Sequence, residues 1–368
     1  MIPYVQISRW DKRDGKAIPF AIVEPSECWF EVSYNDLGEF EIYAKATKSN
    51  LDALVENNLV SIPTLMPSAD WNFVWIIKSV QYEFNSSGVR MVSAKGYEAK
   101  WLLSTRIIDK PFLMSDTLER SIDSLVNSCM GSTAGGLREI VGFNVAFDIG
   151  ESETPISETQ APRQNLWEFV SAQLKEHKLG AFVIESKGML HFEPINGKDK
   201  SGSIVFSQSM DNLVNATFYQ SGESKKTYCM AVSTYTQNDV ESESVVEDSD
   251  LATGIDRSEI LLASNVSTKY VDENGVEKET AFGSDLYREF QKREARAELA
   301  KNVRQTAFDG EIDLANSIYE FGKDYFLGDV VAIRDEFFGI DGNARIVKYT
   351  FKQDAKGYGE TADYESES

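Results

Sequence analysis

Residues 325–359 read YFLGDVVAIRDEFFGIDGNARIVKYTFKQDAKGYG. Two apolar runs flank a polar, glycine-bearing middle. In the first, Leu327, Val331 and Ile333 share a face with Asp329. In the second, Val347, Tyr349 and Phe351 face one way and Lys348, Thr350 and Lys352 the other. Period-two alternation predicts strands, and Asp341-Gly342-Asn343 has turn chemistry, so the stretch predicts a hairpin. Gly328 is placed to relieve a bend or bulge beside Asp329. Asp335 and Arg345 are expected as a surface ion pair, not as an acid and a base. A hairpin this regular reads as the closing edge of a barrel rather than as a catalytic loop.

Upstream, strands are predicted in QTAFDGEIDLA (305–315), GSIVFSQSMDNLVNATFYQS (202–221) and KTYCMAVSTYT (226–236). Between them the chain makes an excursion. NDVESESVVEDSD (238–250) reads as a mobile, solvated acidic loop. It is followed by ATGIDRSEILLAS (252–264), a hairpin across VDENGVEK (271–278) and a charged helix in 284–303. The simplest topology is a β-domain interrupted by an insertion.

The first hundred residues are expected to be β-structure. CWFEVSY and EFEIYAKA flank the turn NDLG, with Phe30, Val32 and Tyr34 alternating against polar neighbours. A short helix in 49–58 leads to a second hairpin around NSSG (85–88), in which Val80, Tyr82 and Phe84 share a face. The middle changes period. Leu118, Ile122, Leu125 and Val126 fit a helix capped by Asp116 and Glu119. A second helix starts at Asn165, with Glu168 in its first turn and Gly180 as its stop. A hairpin turning at Ser186-Lys187-Gly188 follows.

The chain has 368 residues, of which 42% are hydrophobic, enough to bury sizeable cores in several domains. It shows no membrane-spanning run and no secretory start, which points to synthesis in a cytoplasm. The net charge of −22 argues against a protein that grips phosphates. Cys28, Cys129 and Cys229 are expected as reduced, buried thiols. The two histidines, His177 and His191, stand at no metal-ligand spacing. No nucleophile elbow, phosphate loop or calcium loop is present, and carboxylates are too plentiful for any pair to be marked. No catalytic, cofactor-binding or metal-ligating residue is therefore assigned, and no cofactor is expected. The six tryptophans are read as core and interface anchors, with either Trp71 or Trp75 facing a partner subunit.

Several stretches, in order, resemble the tail-tip hub proteins of long-tailed bacteriophages, including the N-terminal structural module of tail-associated lysins. They are GEFEIYAKA (38–46), GVRMVSAKGYEAKWLLSTRII (88–108), TGIDRSE (253–259), AFDGEIDLA (307–315), YFLGDVV (325–331) and ARIVKYTF (344–351). The family is similar in architecture to the baseplate hub of contractile-tailed phages. The resemblance implies an α+β, multidomain fold: two tube-like antiparallel β-barrel domains plus an α+β domain and an inserted peripheral domain. On this chain these fall at 1–108 (first barrel), 109–200 (α+β), 201–238 with 307–354 (second barrel) and 239–306 (insertion), with 355–368 a polar tail.

The resemblance also implies a homotrimer in the virion tail tip that adapts a sixfold tail tube to a threefold tip. Implied partners are a distal tail or tail tube protein, the tape-measure protein and receptor-binding or tip proteins, with DNA passing through without specific binding. The polar ending YGETADYESES is expected to carry no hydrolase. Two alternatives stay open: a peptidoglycan hydrolase or peptidase, and a carbohydrate-binding host adhesin using exposed aromatic residues.

Overall fold

A computed structural model of the chain describes residues 4–63, 71–115, 117–145, 156, 159–210, 212–237, 240–272, 275–303, 305–314, 317–337 and 339–367. The fold is mostly β, with five α-helices among the described residues. Thirteen strands form one sheet. Its path runs Leu213–Ser221, Gln305–Asp313, Gly357–Ser366, Ile340–Asp354, Glu27–Ser33, Glu39–Lys45, Arg90–Glu98, Trp75–Phe84, Leu59–Ser61, Val5–Asp11, Lys16–Val23. Val330–Asp335 branches from Ile340–Asp354 and carries Val205–Ser207.

The first and last β-regions, expected as two barrels, are thus one sheet. They join where Phe30 lies opposite Phe351 and Val32 opposite Tyr349. All four side chains enter the same core, so each region covers apolar surface the other would expose to water. Among the described residues the path has two ends and does not close on itself.

The stretch 325–359 holds three strands rather than two. The first turn falls at 336–339, with Gly339 at φ 65°, and Asp341 to Asn343 already pair with Arg334 to Ala332. A bulge between Ile346 and Lys348 turns Val347 out of step. Ala344 and Ile346 therefore point inward ahead of it, and Tyr349 and Phe351 after it. The expected polar tail is the strand Gly357–Ser366, which pairs along Ile340–Asp354 and buries Ala362 and Tyr364. Asp335 is buried and does not meet Arg345, which pairs with Glu367 at 2.5 Å.

A second core lies beneath a four-stranded sheet ordered Phe143–Val145, Met189–Ile195, Gly180–Ser186, Asn72–Phe73. Its helices are Leu118–Met130 and Leu166–Glu176. Asn165 caps the latter through its side chain, as expected, accepting from the backbone N–H groups of Trp167 and Glu168. The former is capped by Thr117, which accepts from the Arg120 N–H; Asp116 lies outside the described residues. Lys178, at φ 57°, ends the second helix, and Gly180 already belongs to the next strand.

One helical carboxylate in this unit carries a prediction. The Asp123 Oδ1 is buried without a hydrogen-bond partner, and desolvation pushes the carboxyl up to about 6. A raised folded value means that the folded state holds the proton more tightly, so ionisation costs stability above pH 6 and nothing below pH 4. Two pH units are worth about 3 kcal/mol, cut to about 1 kcal/mol by solvent screening of a half-exposed group. Asp123→Asn should stabilise the fold by that amount at pH 8 and be neutral at pH 4 in urea titrations. Equal stabilities at pH 8 would refute it.

The inserted unit has three strands ordered Val240–Ser249, Tyr228–Gln237, Glu259–Ala263, with the helix Asp285–Lys301 on one face. The acidic run expected as a loop is its strand Val240–Ser249, paired along its length; Asn238 and Asp239 lie outside the described residues. Ser244 and Val246 point to the helix, as does Asp248, which pairs with Arg296 at 3.1 Å, while Glu243, Val245 and Glu247 point out. Tyr228–Gln237, read as part of the second β-domain, pairs here instead. A further sheet, ordered Thr159–Ala161, Phe112–Met114, Lys269–Val271, Glu277–Glu279, ties the insertion to the α+β unit. It includes the expected hairpin across 271–278.

Candidate assembly surfaces and the junction that holds them

Tyr34 is fully buried where three parts of the chain meet. Its hydroxyl donates to the Ile195 carbonyl (2.8 Å), with the Lys178 carbonyl at 3.2 Å, and accepts from the Gly197 N–H (3.3 Å). Its ring lies against two glycines. A Cβ on Gly180 would come within 2.2 Å of the ring, and one on Gly328 within 2.3 Å. Gly328 also has φ +89°, a conformation glycine adopts without steric cost. The glycine expected to relieve a bend therefore also makes room for an aromatic ring. Beside it, Asp329 accepts from the N–H groups of Lys198 (2.8 Å) and Phe326 (2.9 Å) and pairs with Lys200 at 3.1 Å.

A buried ion pair adjoins this junction. Lys100 and Glu98 lie 3.1 Å apart, both almost wholly out of solvent. Glu98 accepts from the Gly38 N–H (2.6 Å) and the Ser33 N–H (3.2 Å). Lys100 donates to the Ser33 and Ala181 carbonyls. Burial pushes the Glu98 carboxyl above its usual range and the Lys100 ammonium below its own, against their mutual attraction. The pair links the first hairpin to the α+β unit and faces no opening.

The insertion meets the α+β unit through Arg293, which pairs with Glu176 (3.2 Å) and donates to the Nε2 of His177 (2.6 Å). Guanidinium can only donate, so this histidine nitrogen accepts. Burial and the cation beside it hold the imidazole below its ordinary value. A cleft of about 510 Å³ opens next to the contact; His177 faces the Arg293 cation, and Glu294 in the cleft lining accepts from the Ser264 hydroxyl, with burial pushing its carboxyl above the usual range.

The thiols are equally unsuited to attack. All three cysteines are buried and free, and desolvation pushes Cys28 up to about 12 and raises the other two, so they stay protonated. Among the described residues, no group of three His, Cys, Asp or Glu side chains is placed to hold a metal ion.

No tryptophan is exposed. Trp75 is in the core, its indole N–H on the Glu31 carbonyl at 2.9 Å, so it does not face a partner. Trp71 is half-buried against Phe73 and Phe326. Exposed apolar residues include Ile18, Phe20 and Ile22 on the edge strand of the large sheet, Tyr82 and Phe84 on a hairpin end, and Val245 and Leu261 on the inserted sheet; others, such as Leu137, Ile255 and Phe337, stand singly in turns and loops. Alternation in KAIPFAIV (16–23) carries the first signal in the sequence, but a strand buried on that face would show the same pattern.

Residues 22–362 match the family described as siphovirus ReqiPepy6 Gp37-like protein. The chain belongs to this family of phage tail proteins. No curated protein matches it, but solved structures do. It is similar to the tail protein from Neisseria meningitidis MC58, at 11% identity and TM-score 0.55, over 100% of this chain and 97% of that one. It is also similar to the 43 kDa tail protein of prophage MuSo2 from Shewanella oneidensis, at 12% identity and TM-score 0.54, over 98% and 97%. A third is prophage tail protein gp18 from Listeria monocytogenes EGD-e, at 14% identity and TM-score 0.50, over 98% and 94%. At these identities the likeness is one of fold. Within the Gp37-like chain it spans all the units described above.

Proposed function

We propose that this Gp37-like chain is the tail-tip hub: a virion protein that assembles as a homotrimer, caps the tail tube and adapts sixfold symmetry to threefold. The observation that carries this reading is the single sheet joining the N- and C-terminal β-regions. In a trimer each chain supplies two wall segments, one from each half, and three chains supply six. The distal tail or tube protein would sit on one end of this ring and receptor-binding or tip proteins on the other, with the tape-measure protein and DNA passing through. The protein acts as a structural part and not as an enzyme, which agrees with protonated thiols and a histidine pinned by arginine. The −22 charge suits a lumen that repels phosphate.

The test is mass and shape in solution. Light scattering should give about three times the 41.3 kDa chain, and class averages should show a threefold ring with a central channel. A chain that stays monomeric at every concentration, alone and with its tail tube protein, would contradict the reading. A ring with a basic lumen would contradict its electrostatic part.

A further inference from the structure

The inserted sheet has one bare face. Its helix covers Cys229, Ala231 and Val246 on the other. Strand parity therefore sends Met230, Val232 and Thr234 outward on the central strand, Glu243, Val245 and Glu247 on one side, and Glu259, Leu261 and Ala263 on the other. The register sets Met230 between Glu247 on one side and Leu261 on the other, and Val232 between Val245 and Ala263. The result is an apolar centre, with Leu261 71% exposed, inside a rim of carboxylates. Between 240 and 259 the chain carries seven carboxylates against one arginine.

A second bare surface has the opposite charge. On the edge strand Lys16–Val23, Ile18, Phe20 and Ile22 are exposed. The Arg9 guanidinium lies 3.4 Å from the centre of the Phe20 ring; Lys12 and Lys16 flank the strand, and Arg13 beside them is paired with Asp14 at 2.9 Å, which leaves residues 9–16 with four cations against two carboxylates. Pro19 sits in this strand and removes a backbone donor, so the strand is poorly suited to extending the sheet. It offers side chains instead: an apolar centre within a basic rim, in a chain that is otherwise strongly acidic.

We infer that these two surfaces belong together, in different copies: the acidic face of one chain's inserted sheet receives the basic edge strand of the next. Apolar centre meets apolar centre, and carboxylate rim meets cationic rim. The contact is heterologous, the type that closes a ring when the rotation from one copy to the next is a third of a turn. This rests on the hub reading and names the surfaces by which its copies meet.

The test is a charge swap on exposed side chains. Glu243→Lys with Glu247→Lys, and separately Arg9→Glu with Lys16→Glu, should each raise the concentration for half-assembly about tenfold or more by light scattering, because like charges then face each other. Combining all four reversals in one chain should restore assembly, since every face and every edge is then again opposite in charge to the surface it meets. Phe20→Cys with Leu261→Cys should give, under mild oxidation, covalent ladders ending at the closed ring. If the wild type is trimeric and both reversals leave its mass unchanged, this inference fails and the hub reading stands. If the wild type is monomeric throughout, both fail. If the reversals weaken assembly only with another tail protein present, the occupant is that protein and the inference is overturned.

Discussion

Replacing Lys100 with methionine is expected to destabilise the chain by about 3–5 kcal/mol, the range for removing one partner of a buried ion pair. Lys100 and Glu98 are 3.1 Å apart and almost wholly buried, so the variant keeps a carboxylate in the core with two backbone N–H donors and no cation. Its loss should depend on pH. In the variant the folded Glu98 value rises further above the unfolded one, so the folded state binds its proton more tightly. Stability is then regained as pH falls from the folded value towards about 4.3, where unfolded glutamate titrates. Adding Glu98→Gln removes the orphan charge and should recover most of the loss at pH 8. Denaturant titrations of the single and double variants check this; a single variant within about 1 kcal/mol of wild type at pH 8 would show that the pair is dispensable.

Tyr34→Ala is expected to cost about 3–5 kcal/mol, as for other large buried aromatics, and to loosen three regions at once. Gly328→Ala should cost about 2–4 kcal/mol, combining φ strain with overlap on the Tyr34 ring. In the Tyr34→Ala background the overlap partner is gone, so Gly328→Ala should fall to about 1 kcal/mol. A double-mutant cycle reads this coupling directly. Additive costs would mean that the ring and the glycine do not constrain each other.

The elements legible in the sequence are those whose signals are local. Hairpins at 27–45, 75–98 and 180–195 follow from alternation between turn residues, and the helix starting after Asn165 follows from its cap. Three features were hidden. The pairing of Phe30 with Phe351 leaves no mark on either segment, because both simply look amphipathic. The strands Val240–Ser249 and Gly357–Ser366 resemble solvated chain because their inward positions mix Ser, Ala, Asp248 and Glu360 with only a few larger residues. Composition averages the two faces that a strand separates. The bulge at Val347 shifts register by one residue, which period-two reasoning cannot anticipate. The proposed assembly surfaces are less legible still: exposure of Ile18 or Leu261 depends on what fails to cover them. Of the tryptophans read as core and interface anchors, Trp75 and Trp167 are in the core and the other four are half-buried.

The sheet that joins the two ends of the chain also sets a schedule for its synthesis. Phe30 and its neighbour Phe351 are 321 positions apart. At about 5–20 residues per second, roughly 15–65 s separate their emergence from the ribosome. Throughout that interval the strand Glu27–Ser33 has its hairpin partner on one side and an unfilled edge on the other. That edge is apolar on its inner face and open to strands from neighbouring nascent chains. Ribosomes crowded on one message would hold many such edges close together, so the hazard grows with expression rate. Less frequent initiation, which spaces the ribosomes, or a chaperone that binds extended apolar segments should therefore raise the soluble yield.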